Sequence, residues 1–172
     1  MGKVTGEMQM NITVYLGANE GSDPALKQAV EELGRWIGES GNRLIYGGSK
    51  TGLMGLLADS ALGAGAEVIG VELEMFMDED YQHTGLTELI VNPDFPQRKT
   101  EIIRRSEAFI AFPGGTGTLE EISEVMSLSS LKLTKAPCIL YNLNGYYEPL
   151  RLQLQRMVEA GLSSPERQEG IH

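Results

Sequence analysis

The chain is poor in the residues that build metal centres and disulfides, with one cysteine, Cys138, and two histidines, His83 and His172. A lone cysteine forms no intrachain disulfide, and one followed by Ile139 and Leu140 reads as a small buried hydrophobe. Three such residues cannot furnish a His/Cys zinc site, and neither H-E-x-x-H nor a paired C-x-x-C occurs, so no metal is expected. Only magnesium held by carboxylates and substrate phosphates stays open. Cations are scarce too: 14 Lys and Arg stand against 24 Asp and Glu, a net charge of −10. That field repels nucleic acid and anionic membranes, which disfavours a polymer-binding role. No stretch approaches the roughly 18 apolar residues of a membrane span, and the first ten residues hold no apolar signal core. A cytoplasmic location is expected, with residues 1–9 as a loose leader.

What is present is an ordinary globular mix, 41% hydrophobic and 22% charged over 172 residues, enough for one domain with a sizeable core. Short β-rich apolar runs recur at Ile12–Leu16, Leu44–Tyr46, Val68–Val71, Leu89–Val91, Ala108–Phe112 and Cys138–Tyr141. Between them, helical spacing covers Pro24–Glu39, Gly52–Leu62, Gln97–Ser106, Leu119–Leu131 and Tyr147–Glu159. Strands alternating with helices imply parallel pairing through right-handed crossovers. The expected fold is therefore α/β, a Rossmann-like doubly wound parallel sheet with helices on both faces. Residues 10–162 form the expected single nucleotide-binding domain, Glu72–Glu88 an irregular loop or short helix, and 163–172 a polar, frayed tail.

Glycine is in excess, at 21 residues, and three clusters follow three predicted strands: Gly17 and Gly21; Gly47, Gly48, Gly52 and Gly55; and Gly114, Gly115 and Gly117. In a parallel sheet these turns share the carboxyl edge, where ligands bind. Glycine lets the backbone approach a ligand there, and the next helix offers unpaired amides to an anion, so the edge is suited to a phosphate. Residues 47–55, GGSKTGLMG, lack the glycine before lysine that a Walker A loop requires, and Glu120 stands where a dinucleotide fingerprint needs its third glycine. ATP hydrolysis and hydride transfer are disfavoured.

The stretch PGGTGTLEE, residues 113–121, is the most informative. Thr118 to Glu121 matches a capping box, with Thr118 as N-cap and Glu121 as its reciprocal partner. Alternatively, Glu120 and Glu121, about 100° apart in helical projection, turn one carboxylate to a ligand at a glycine-lined opening. Both readings stand. Upstream, Gln97-Arg98-Lys99 and Arg104-Arg105 gather four of the 14 cations. Arg104 and Arg105 read as a solvated helix face, whereas Arg98 and Lys99, at the start of a helix on the carboxyl edge, are placed to meet an anion.

Taken together, YGGSKTGLMG (46–55), GLTELIV (85–91), QRK (97–99), SEAFIAFPGGTGTLEE (106–121) and NLNGYY (142–147) resemble the LONELY GUY (LOG) family of cytokinin riboside 5′-monophosphate phosphoribohydrolases. Many relatives carry an older "possible lysine decarboxylase" label, although no lysine here has the surroundings of a pyridoxal phosphate site. The resemblance spans about residues 12–160. It implies a homodimer with residues of both subunits near each site, and hydrolysis of the N-glycosidic bond of purine nucleoside 5′-monophosphates, AMP or an N6-substituted AMP, with no cofactor. It implies Arg98 and Glu121 as the catalytic pair. It also implies substrate contacts from Lys99, Asp80 on the base side, Ser127 in the loop helix, and the phosphate loop Gly114, Gly115, Thr116, Gly117 and Thr118; Gly47, Gly48 and Glu120 are expected to bind substrate as well. The chain departs from the family at Phe95-Pro96, usually Met-His, at Ala18-Asn19 in the first loop, usually Ser-Ser, and at Ser127-Leu128, usually Thr-Trp. A non-catalytic nucleotide-binding protein of the same fold is the alternative. Leu128, Leu131 and Leu133 read equally as dimer contacts or as core.

Overall fold

The computed structural model describes residues 8–77 and 80–172. Six strands form one sheet: β1 (Asn11–Tyr15), β2 (Arg43–Tyr46), β3 (Val68–Leu73), β4 (Glu88–Asn92), β5 (Ala108–Ala111) and β6 (Cys138–Leu140). All pairings are parallel, in the order β4-β3-β2-β1-β5-β6. Helices α1 (Ala25–Glu39), α2 (Gly52–Gly63), α3 (Phe95–Arg105), α4 (Thr116–Ser130), α5 (Glu148–Glu159) and α6 (Pro165–Gln168) complete the chain. The doubly wound α/β architecture read from the alternating runs is what forms. From β1 the chain steps outward to β4 and then returns to place β5 on the other side of β1. The reversal leaves a crevice between the carboxyl ends of β1 and β5, where an open parallel sheet binds ligands.

Two apolar layers hold the sheet. Alternation along β1 sends Ile12 and Val14 to one face with Val30, Ile37 and Leu57 of α1 and α2, and Tyr15 to the other with Ile102 and Ile122 of α3 and α4. Each fully buried Leu, Ile or Phe contributes about 1.5–3 kcal/mol relative to exposure. The α1–α2 contact is close because Gly34 has no side chain: a Cβ there would lie 2.6 Å from the Leu57 carbonyl oxygen.

Two local readings change. First, β3 runs on through Glu72 and Leu73, so the irregular segment begins later, with a 3-10 turn at Glu74–Phe76. Second, the expected fraying of 163–172 does not occur. After α6, the Cys138 amide donates to Gly170 O, the His172 amide to Cys138 O and the Leu140 amide to His172 O, each at 2.8 Å, and Ile171 packs into the second core layer. Main-chain bonds on an open sheet edge are indifferent to side-chain polarity, which is why composition did not reveal them. Of the predicted leader, residues 1–7 lie outside the described residues; Met10, the first residue of the expected domain, is held by its carbonyl accepting from the Arg43 amide at 2.9 Å.

Candidate active site

The helix after β5 begins at Thr116, with Gly115 as an N-cap that has no side chain to offer. Thr118 is therefore a buried third residue of α4, packed against Gly114. The capping-box reading fails for that reason, and the Glu121 carboxylate is left for other work.

Its partner is Arg98. Helix α3 is started by Asp94, whose Oδ1 accepts from the Gln97 amide at 2.8 Å, with Pro96 in the first turn. That cap fixes Arg98 above the end of β3, where Nε donates to Val71 O at 2.8 Å and Nη1 donates to Glu121 Oε1 at 2.9 Å. The Arg98 and Glu121 side chains are only 12% and 16% exposed, so the pair is largely withdrawn from water. Burial raises the Glu121 carboxyl above its ordinary 4.5, opposed by the neighbouring Arg98 guanidinium. Tyr15 lies beneath; burial first, and Glu121 and Glu124 after it, push its phenol upward, so it stays protonated. Between Arg98, Glu121, Tyr15, Tyr46 and Gly47 lies a cavity of about 20 Å³, room for one water molecule.

Lys99, the next residue, reaches along α4: Nζ lies 2.5 Å from Glu120 Oε1 and 3.0 Å from Glu124 Oε2, and these two carboxylates raise its pKa. Three ion pairs thus join α3 to α4. Gly47 lies against Arg98, where a Cβ would sit 3.0 Å from Nη2, and Gly48 lies beside Glu72. Glu72 was missed by sequence reading because it ends an apolar run. It is buried at the tip of β3, accepts the Leu73 amide at 2.9 Å, and is held above the ordinary carboxyl value by burial, against the Leu73 amide and Arg98.

The crevice between β1 and β5 has a volume of about 310 Å³ and is lined by Gly17, Asn19, Asp23, Pro113, Gly114, Gly115 and Tyr146. The first turn of α4, with Thr116, Gly117 and Thr118, adjoins it, and amides there have no carbonyl one turn back to bond. Asp80 is exposed on the β2 side of the same edge. The strand-like segment after it is fixed by the Lys50 amide donating to Tyr81 O at 2.8 Å and the His83 amide to Gly48 O at 3.2 Å. Ser127 stands apart. Its Oγ donates to Ser123 O at 3.0 Å, and it faces a 430 Å³ groove between α4, α5 and α6 lined by Met126, Leu150, Leu154 and Met157. Arg104 and Arg105 both pair with Glu101; Arg104 is solvated, whereas Arg105 is part-buried and also reaches Glu88. Leu131 and Leu133 are 62% and 70% exposed, so the core reading is excluded for them.

The sequence profile described as "Possible lysine decarboxylase" matches residues 54–172. The chain is 44% identical over 156 residues to a cytokinin riboside 5′-monophosphate phosphoribohydrolase of Rhodococcoides fascians, covering 90% of this chain and 79% of that protein. The chain belongs to the LONELY GUY family. Another LONELY GUY relative, LOG7 of Arabidopsis thaliana, is 36% identical over 154 residues, covering 90% of this chain and 71% of its own length. The molybdenum cofactor carrier protein of Chlamydomonas rheinhardtii shares the LONELY GUY fold, with a TM-score of 0.65 at 22% identity over 96% of this chain and 89% of that one. At that identity the likeness concerns architecture only.

Proposed function

We propose that this chain hydrolyses the N-glycosidic bond of purine nucleoside 5′-monophosphates, AMP or an N6-substituted AMP, releasing free base and ribose 5-phosphate. The observation that carries the proposal is the largely buried Arg98–Glu121 pair beside a glycine-lined helix start. Relatives named as phosphoribohydrolases at up to 44% identity support it.

The chemistry follows from charge. Cleaving C1′–N9 sends the bonding electrons to the base and leaves positive charge on the sugar, so the reaction needs an anion near C1′ and a water to close on it. Glu121 supplies the anion, orients the water and accepts its proton as the new C1′–O bond forms; the departing base takes a proton from solvent, and Glu121 afterwards returns its own to solvent. Arg98 keeps Glu121 ionised and aimed, and its remaining N–H donors serve ribose or phosphate oxygens. The phosphate rests on amides of Gly115, Thr116, Gly117 and Thr118, at the positive end of α4, which anchors the sugar for attack. Lys99 offsets Glu120 and Glu124 beside that anion, Gly47 and Gly48 leave space next to Arg98, and Asp80 accepts from the base. Ser127 and the exposed Leu131 and Leu133 belong to a homodimer contact in this reading.

Chromatography of AMP and adenosine digests tests it. AMP is expected to yield adenine far faster than adenosine does. Calorimetric binding of AMP without release of base would instead make the protein a nucleotide-binding module.

A further inference from the structure

The segment Asn142–Tyr147 takes no part in the chemistry above, yet it ties together the two walls of the β1–β5 crevice. Asn144 adopts a left-handed backbone, φ 51°, unusual for a residue with a side chain, and Gly145 follows at φ 79°. This turn sends Asn144 Nδ2 to Asp23 Oδ2 at 2.9 Å, while Asp23 Oδ1 accepts the Ala25 amide at the start of α1. On the opposite wall, the Tyr146 hydroxyl donates to Gly114 O at 2.5 Å and the Tyr147 hydroxyl to Phe112 O at 2.8 Å.

The electrostatic consequence lies in the carbonyls. A phosphate is repelled by carbonyl oxygens and attracted by amides, and a single swivelling peptide can present either. The Gly114–Gly115 peptide is planar and trans, so fixing the Gly114 oxygen toward Tyr146 aims the Gly115 N–H the opposite way. Gly115 O is itself occupied by the Leu119 amide at 3.1 Å. Three carbonyls of the loop, those of Phe112, Gly114 and Gly115, are thereby engaged elsewhere.

We infer that Tyr146 is a positioning residue whose hydroxyl engages the Gly114 carbonyl at the crevice wall, so that this oxygen is not left bare to the substrate phosphate and the loop peptide is held in one orientation, with Asn144 holding the facing wall in register. The inference rests on the proposed use of this loop as the phosphate cradle.

The test uses the full chain, AMP as substrate, and the two products as separate inhibitors. In Tyr146→Phe, which keeps the ring and removes the hydroxyl, the inhibition constant of ribose 5-phosphate and the KM for AMP should each rise about tenfold, the scale of one lost hydrogen bond. The inhibition constant of adenine should not change. Asn144→Gly, which preserves the left-handed turn, should act in the same direction and carries the comparison should the tyrosine variant melt early. Equal weakening of both inhibitors, or of neither, in the folded variants overturns the inference. Failure of ribose 5-phosphate to compete with AMP in the unmodified protein overturns the cradle reading itself, and with it the role given to Tyr146.

Discussion

Arg98 Nη1 and Glu121 Oε1 meet at 2.9 Å across the seam between α3, which crosses back from edge strand β4 to β5, and α4, which follows β5. The contact sets two opposing influences on one carboxyl group. Burial favours the neutral acid, and the guanidinium favours the anion, with burial the larger.

The pH profile should carry that balance. If ionised Glu121 is the working form, kcat/KM rises with pH through a limb lying above 4.5. Removing Arg98 removes an influence that lowers this pKa, so in Arg98→Ala the limb moves to still higher pH, along with a large loss of rate. A limb that stays in place or moves down would separate Arg98 from Glu121.

Stability should respond with a definite sign. A carboxyl whose native pKa is raised stabilises the fold fully below its unfolded value and loses that contribution as pH rises through the native one. At neutral pH the ionised Glu121 therefore costs stability, and Glu121→Gln removes the cost. The variant's Tm at about pH 7 should equal or exceed that of the unmodified protein, and the gap should close toward about pH 4. Calorimetry that finds the variant several degrees lower at neutral pH would mean that the pairing outweighs the burial.

Lys99 offers an ionic-strength test. Its ammonium covers Glu120 and Glu124 beside the phosphate loop, and Lys99→Ala uncovers both. The KM for AMP should rise several-fold at low salt and approach the unmodified value at about 1 M salt, where charges are screened within about 3 Å. A salt-independent change would assign Lys99 a contact role instead.

Periodicity made the sheet legible, and the outcome shows where its reach ends. Apolar runs of three to five residues located all six strands, because the central strands, buried on both faces, have few other ways to be written; Ala108–Phe112 is one residue longer than the β5 that forms. Arg98, Lys99, Glu120 and Glu121 were legible as a group because cations and adjacent carboxylates are sparse near glycine clusters. Arg98 and Glu121 as a pair came from the family resemblance, not from the local pattern, which does not encode their contact. That contact depends on α4 starting three residues before Leu119, and a glycine N-cap leaves no side-chain signal. Asp94 with Pro96 was a readable cap for α3 that an apolar-period argument passed over. Glu72 and the Tyr146 brace were hidden because each depends on which element lies opposite, which no local pattern encodes.

The carboxyl-terminal strand segment gives a prediction independent of the chemistry. Ending the chain at Gln168 removes the three main-chain bonds to β6 and the partial burial of Ile171, about 1.5–4.5 kcal/mol for those bonds alone. The Tm should fall by several degrees while kcat/KM for AMP at 25 °C stays unchanged. An unaltered melting curve would show that the segment adds nothing to the β6 edge.

The central claim is that the carboxylate of residue 121 performs the cleavage while the amides of the following-strand loop hold the phosphate. Comparing AMP affinity and adenine release between the unmodified protein and Glu121→Gln tests it most directly. The account predicts that the variant binds AMP within a few-fold of normal and releases adenine about a thousandfold more slowly. Adenine release near the normal rate by a folded Glu121→Gln protein would contradict it.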